Sequence, residues 1–172
     1  MSQLQNDLVP FLTQVEIQKI VKSMARQIEA EYEGKELCVI CPLYGSIHFC
    51  SDLIRQFNIP VQVDFVVCKA PKRGGAVTIV KDITINITGK HVLVLEEIID
   101  TGRTLNFLLQ RLEASSPASL KVATLLDKPA RRELPLKPDY IGRTIEDRFV
   151  VGYGMDSEDL GRNYPDIYFL KN

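Results

Sequence analysis

The segment Leu37-Cys38-Val39-Ile40-Cys41-Pro42-Leu43 is an unbroken apolar run closed by Gly45-Ser46. A strand of that kind has no wet face, since a half-exposed strand alternates apolar and polar residues. It predicts a parallel sheet covered on both sides. Two further apolar runs, His91 to Leu95 and Leu120 to Leu126, make the same demand. Between the runs the period changes to that of a helix. Phe49, Cys50, Leu53, Ile54 and Phe57 precede the breaker Asn58-Ile59-Pro60 and a strand from Val61 to Val67, and Leu105, Leu108, Leu109 and Leu112 form a second apolar stripe. Two strand–helix–strand units define the class as α/β, a central mainly parallel sheet flanked by helices.

Upstream, Thr13 and Glu16 have capping-box spacing, and Ile17, Ile20, Val21, Met24, Ala25, Ile28 and Tyr32 follow at helical intervals up to Gly34. The polar stretch from Lys69 to Gly75 reads as a mobile loop or hairpin tip, with short strands at Val77 to Val80 and Ile83 to Ile87. From Tyr140 onward, short strands and turns lead to a strand at Ile167 to Leu170. No repeat, low-complexity tract or linker interrupts the chain, so residues 1-172 read as one domain.

The 172 residues are enough to bury a core without a metal or disulfide staple, which removes small disulfide scaffolds from consideration. A formal charge of −1 argues against nonspecific nucleic-acid binding. Cys38, Cys41, Cys50 and Cys68 sit among apolar neighbours, and neither His48 nor His91 completes a zinc spacing, so all four are expected to be buried free thiols. No run approaches the roughly 18 apolar residues of a membrane span, and no basic region precedes an apolar core at the N-terminus. A reducing cytoplasm without membrane attachment is the expected setting.

The chemistry is concentrated between Val92 and Thr104, where a strand meets Glu96-Glu97 in an acidic turn and then a small-residue loop, Asp100-Thr101-Gly102, that opens a helix. In open α/β sheets such a loop lies at the ligand-binding edge. Its backbone N–H groups and the hydroxyls of Thr101 and Thr104 suit a phosphate, and three crowded carboxylates suit a magnesium ion or sugar hydroxyls. The bland alternative is that Asp100 or Thr101 caps the helix. No Gly-x-x-x-x-Gly-Lys-Ser/Thr pattern exists for a P-loop. Asp-Thr-Gly is also the signature of aspartic proteases, but those are all-β and the flanking units here are not.

The segment Glu96 to Thr104 resembles the 5-phosphoribosyl-1-pyrophosphate signature of type I phosphoribosyltransferases. Leu43-Tyr44-Gly45-Ser46, Ser51-Asp52-Leu53-Ile54, Val63-Asp64-Phe65, Leu125-Leu126-Asp127-Lys128-Pro129, Asp139-Tyr140-Ile141-Gly142, Phe149 to Asp156 and Arg162-Asn163 are similar, in order and spacing, to blocks of the hypoxanthine-guanine branch. The resemblance implies the type I fold with a small hood formed by the chain ends. It implies transfer of a phosphoribosyl group to a 6-oxopurine, in a homodimer or homotetramer, with Asp100 as general base or acid near purine N7. Leu43, Tyr44, Gly45, Glu96, Glu97, Asp100, Thr101, Gly102, Arg103, Thr104 and Arg162 would hold 5-phosphoribosyl-1-pyrophosphate. Lys128, Phe149, Val150 and Asp156 would hold the purine, with Lys128 donating to its exocyclic oxygen. Glu96, Glu97 and Asp156 would serve Mg2+.

Three positions depart from the family's pattern. Glu96-Glu97 replaces the usual Glu-Asp, Tyr44 stands where lysine is common, and the lid aligned with Cys68 to Arg73 is short and lacks Ser-Tyr. An active but slow enzyme is expected, because a lid excludes water and completes the site. The altered lid with Lys69, Lys72 and Arg73 motivates a rival reading, a nucleotide-sensing RNA-binding regulator on the same fold; a xanthine-preferring enzyme is the nearer alternative.

Overall fold

A computed structural model describes residues 7–70 and 75–171. Six strands form the main sheet in the order β4-β3-β2-β5-β6-β7. They are β2 (Leu37–Leu43), β3 (Val61–Lys69), β4 (Thr78–Lys81), β5 (His91–Ile99), β6 (Ser119–Asp127) and β7 (Tyr140–Thr144). All neighbours are parallel except β3 and β4. Helices α1 (Gln14–Glu31), α2 (Ile47–Ile54) and α3 (Arg103–Glu113) cover it. A second, antiparallel sheet, the hood, joins β1 (Leu8–Leu12), β9 (Ile167–Leu170) and β8 (Val150–Val151) from opposite ends of the chain.

The apolar runs do what their composition requires. Val39, Cys41, Leu93 and Leu95 enter one core with Ile17, Val21 and Ile28 of α1 and Phe49 and Leu53 of α2. The alternate residues Cys38, Ile40, Val92 and Val94 enter the other, against Leu105, Leu108 and Leu112 of α3. A period of two thus feeds both faces of one sheet. The capping box also forms, with Thr13 N–H donating to Glu16 Oε2 at 2.9 Å and Glu16 N–H to Thr13 Oγ1 at 3.3 Å.

Several expectations are corrected. Glu96 and Glu97 lie within β5, which continues to Ile99, and not in a turn. α2 ends at Ile54, short of Phe57. β1, carrying Pro10, was not foreseen. Cys41 and Cys50 form a disulfide between β2 and α2, their Cα atoms 6.4 Å apart, so only Cys38 and Cys68 are free thiols.

Residues 83–87 are not a strand, because a carboxylate takes the N–H groups that a neighbouring strand would need. Asp64 of β3, 6% exposed, accepts from Thr84 N–H, Thr84 Oγ1 at 3.0 Å, Ile85 N–H at 3.1 Å, Phe65 N–H at 2.7 Å and Lys81 Nζ at 2.9 Å. Burial works to raise its pKa, but the donors from Thr84, Lys81, Phe65 and Ile85 outweigh it and hold the carboxyl well below the usual range. Replacing Asp64 by Asn is expected to cost about 2–4 kcal/mol at neutral pH. Because the folded pKa is depressed, this stabilisation is complete above the unfolded value near 4 and fades as pH falls through the folded one. Urea unfolding of both proteins is therefore expected to show a gap at pH 7 that narrows in acid.

Candidate active site

The site opens where β2 and β5 part. They pair from Leu37 and His91 to Ile40 and Val94, and no further. Beyond that point β2 stays on β3 as far as Leu43 and Val67, while β5 stays on β6 as far as Ile99 and Asp127. The chain order also reverses here, with β3 and β4 on one side and β6 and β7 on the other, so the crevice is a topological switch point of the kind at which α/β sheets bind ligands. A cavity of about 320 Å³ occupies it, walled by the end of β2 and by Glu96 to Thr104.

On the β5 side, Gly102 turns the chain with φ +81° and stands at the N-terminus of α3. No side chain caps this helix. Thr101 Oγ1 accepts from Arg103 N–H at 3.4 Å, and the Asp100 carboxylate is engaged by Arg131 at 3.0 Å and not by the helix. The capping explanation of Asp100 thus fails, and the first turn of α3, from Arg103 to Leu105, lines the cavity, where a helix N-terminus suits an anion.

On the β2 side, the backbone is clamped between two neighbours. A Cβ built on Gly45 would lie 1.7 Å from Glu97 Oε1, and one built on Gly154 would lie 1.9 Å from Gly45 O. Hood, loop and β5 carboxylate are stacked with no room for a methyl group. Gly154 N–H donates to Arg162 O at 2.9 Å, and Arg162 returns a bond to Gly154 O at 2.7 Å while pairing with Asp156 at 2.6 Å. Burial and then the neighbouring Glu97 raise the pKa of Glu96 well above the ordinary carboxylate range. Burial pushes Glu97 up to about 7 against the pull of Arg162. Both glutamates are in a place that favours a bound cation or hydroxyl donors over bare charge.

A second cavity of about 170 Å³ adjoins the first and is lined by Lys128, Phe149 and Val150. Phe149 is 52% exposed, so it is a wall of the cavity and not a core aromatic. Lys128 is only 6% exposed, yet its side chain makes no hydrogen bond or ion pair among the described residues. Its ammonium is thus left free to meet a ligand oxygen in the cavity that Lys128 lines. Glu97, Asp100 and Asp156 line both cavities.

Every residue singled out for the two substrates therefore borders one cavity or the other. Two expectations change in detail. Arg103 turns its guanidinium to Glu133 at the surface, leaving its backbone as the part nearest the cavity. Glu96, Glu97 and Asp156 are not gathered into one metal-ligating cluster among the described residues, and Asp156 is paired with Arg162. Of the lid, Pro71, Lys72 and Arg73 lie outside the described residues; Cys68 reaches the cavity beside Glu96. Sequence reasoning missed Arg131, Arg132 and Glu133, which carry no motif of their own, and the Tyr153 hydroxyl, which donates to Asp52 at 2.6 Å and seats the hood on α2.

Fold and site together define a nucleotide-chemistry protein of the α/β class with a phosphate cradle beside a base-sized cavity. The chain belongs to the phosphoribosyl transferase domain family, whose model matches residues 11–158. It is 40% identical to the hypoxanthine-guanine phosphoribosyltransferase of Staphylococcus aureus over 98% of this chain and 97% of that one. It is also 40% identical to a hypoxanthine-guanine-xanthine phosphoribosyltransferase of Tritrichomonas foetus, over 92% of this chain and 88% of that one. A crystal structure of a hypoxanthine-guanine phosphoribosyltransferase from Bacillus anthracis superposes with a TM-score of 0.91 at 43% identity, covering 95% of this chain and 97% of that one.

The two glycines of the stack lead to opposite expectations. Gly45→Ala strikes only the movable end of Glu97, so the fold survives and pyrophosphate binding in the presence of Mg2+ weakens about tenfold by calorimetry. Gly154→Ala strikes backbone at a φ of +101°, so thermal unfolding is expected to show a loss of about 2 kcal/mol or more.

Proposed function

We propose that this chain is a purine-salvage enzyme that joins hypoxanthine or guanine to 5-phosphoribosyl-1-pyrophosphate, giving IMP or GMP and pyrophosphate. The observation that carries this reading is that Asp100 lines both the phosphate cavity and the cavity of Lys128 and Phe149. One carboxylate is thus placed between a sugar phosphate and a planar base.

In this reading the amides of Asp100 to Thr104 take the 5-phosphate, and Gly45 with its neighbours Leu43 and Tyr44 presents backbone to the pyrophosphate, assisted by Arg162. Glu96 and Glu97 hold the ribose hydroxyls and face the positive charge that develops on the ring as pyrophosphate leaves. Phe149 stacks on the purine, and the buried backbone of Val150 reads its edge. Lys128 donates to the 6-oxo group, and an adenine amino group there would meet a second donor. Asp100 handles the N7 proton. The all-oxygen donor set and the crowding of the glutamates fit Mg2+, which Glu96, Glu97 and Asp156 would hold and which would supply positive charge to offset that of the departing pyrophosphate.

Among the described residues no helix is long and apolar enough to cross a membrane; a cytoplasmic setting is proposed from the resemblance alone. A homodimer or homotetramer is proposed from the resemblance alone. The xanthine-accepting relative makes xanthine the second base to test.

Steady-state assays with hypoxanthine, guanine, xanthine and adenine, each with 5-phosphoribosyl-1-pyrophosphate and Mg2+, are expected to give product from the first two and none from adenine. No nucleotide from either hypoxanthine or guanine would sink the proposal. Lys128→Gln is expected to lower kcat/KM for hypoxanthine by roughly 30-fold, the equivalent of one charged hydrogen bond of about 2 kcal/mol. Removal of Mg2+ with a chelator should abolish turnover and leave the melting transition in place.

A further inference from the structure

The turn that follows β6 braces the phosphate loop bond by bond. Lys128 N–H donates to Ile99 O and Glu133 N–H to Thr101 O, each at 3.0 Å. Arg132, buried against Gly102, divides its guanidinium between Asp100 O and the Asp127 carboxylate. These contacts hold the loop's backbone. None of them sets the direction of the Asp100 side chain. That is left to Arg131, whose Nε donates to Asp100 Oδ1 at 3.0 Å and lies 3.7 Å from Asp147 Oδ1, in the segment just ahead of Phe149.

We propose that Arg131 is a positioning residue for the Asp100 carboxylate, holding one oxygen at the junction of the two cavities so that the other meets the purine proton. The inference rests on the reading of Asp100 as the proton-handling group. Oδ1 is anchored, and Oδ2 has no partner among the described residues. Without the anchor, a short carboxylate on a loop rotates freely about its Cα–Cβ bond, and proton transfer is sensitive to displacements of a fraction of an ångström. The pair is about half exposed on both sides, so it contributes little to stability. Its value lies in direction. Through Asp147 the same guanidinium also ties Asp100 to the stretch that carries the stacking aromatic, so base and proton acceptor are located from one point.

The test compares wild type, Arg131→Ala, Arg131→Lys and Asp100→Asn with the double variant Arg131→Ala/Asp100→Asn. Arg131→Ala is expected to lower kcat by about tenfold or more with KM for both substrates within about threefold, and with an unchanged melting temperature. Arg131→Lys should recover a substantial part of that loss. In the Asp100→Asn background, removing Arg131 should add less than about twofold, because the group it orients is gone. Wild-type kcat in Arg131→Ala, a loss confined to KM, or a full further loss in the Asp100→Asn background would each overturn the role of Arg131 while leaving the reaction intact. A wild type that makes no nucleotide overturns the reaction itself, and the role of Arg131 in it falls too.

Discussion

The parting of β2 from β5 beyond Ile40 and Val94 is the constraint on which the rest of the structure depends. Beyond that point each strand keeps its outer neighbour, β3 for β2 and β6 for β5, and this alone holds the two strand ends in the sheet. The groups on the two inner edges beyond Ile40 and Val94 have no sheet partner, and they face the crevice, where a bound polar ligand would satisfy them. Everything polar in the site is hung from its two lips. Because the strands that form the lips are buried on both faces, their ends are held firmly, and the short loops beyond them inherit that rigidity.

Rigid strand ends alone do not position a loop, and distant chain segments finish the work on each lip. The β2 lip is pressed between the hood glycine, Gly154, and the side chain of Glu97. The β5 lip is backed by the turn from Lys128 to Glu133, which satisfies its carbonyls one after another. The two lips are thus supported by different elements. Glu97 belongs to both arrangements, standing on β5 and packing against the loop after β2, so its extra methylene relative to aspartate fills the slot left by Gly45.

How much of this is readable in the sequence depends on the range of the interaction. The strands Leu37–Leu43 and Ile167–Leu170 match their apolar patterns, and the start of α1 is written in Thr13 and Glu16, because these signals need only neighbours. Asp64 is opaque. A charged residue in an alternating strand reads as facing water, and four of its five donors come from Lys81, Thr84 and Ile85, which no local pattern connects to it. The same holds for β1, whose partner β9 lies at the far end of the chain, and for Cys41 and Cys50, whose proximity is set by how α2 packs on β2. In the site, the stretch Glu96 to Thr104 is contiguous and its chemistry is legible locally, whereas Lys128, Phe149, Val150, Asp156 and Arg162 are reached only through the family resemblance. Arg131 to Glu133 escaped notice because a charge run after a strand looks like solvent-facing surface until the opposing loop is in place.

The hood has a further consequence for the order in which the molecule is completed. β1 pairs with β9 along almost the whole length of the chain, and the backbone of Lys171 donates to Asp7 O at 2.8 Å. Contacts of such wide sequence separation are entropically expensive and form late. The phosphate loop at the end of β5 needs only the segments up to the turn after β6 and can assemble while the last residues are still being added, whereas the β2 lip waits for Gly154. The base cavity cannot, since Val150 is held in place by β9. A nascent chain would hence acquire its anion site before its selectivity for a base.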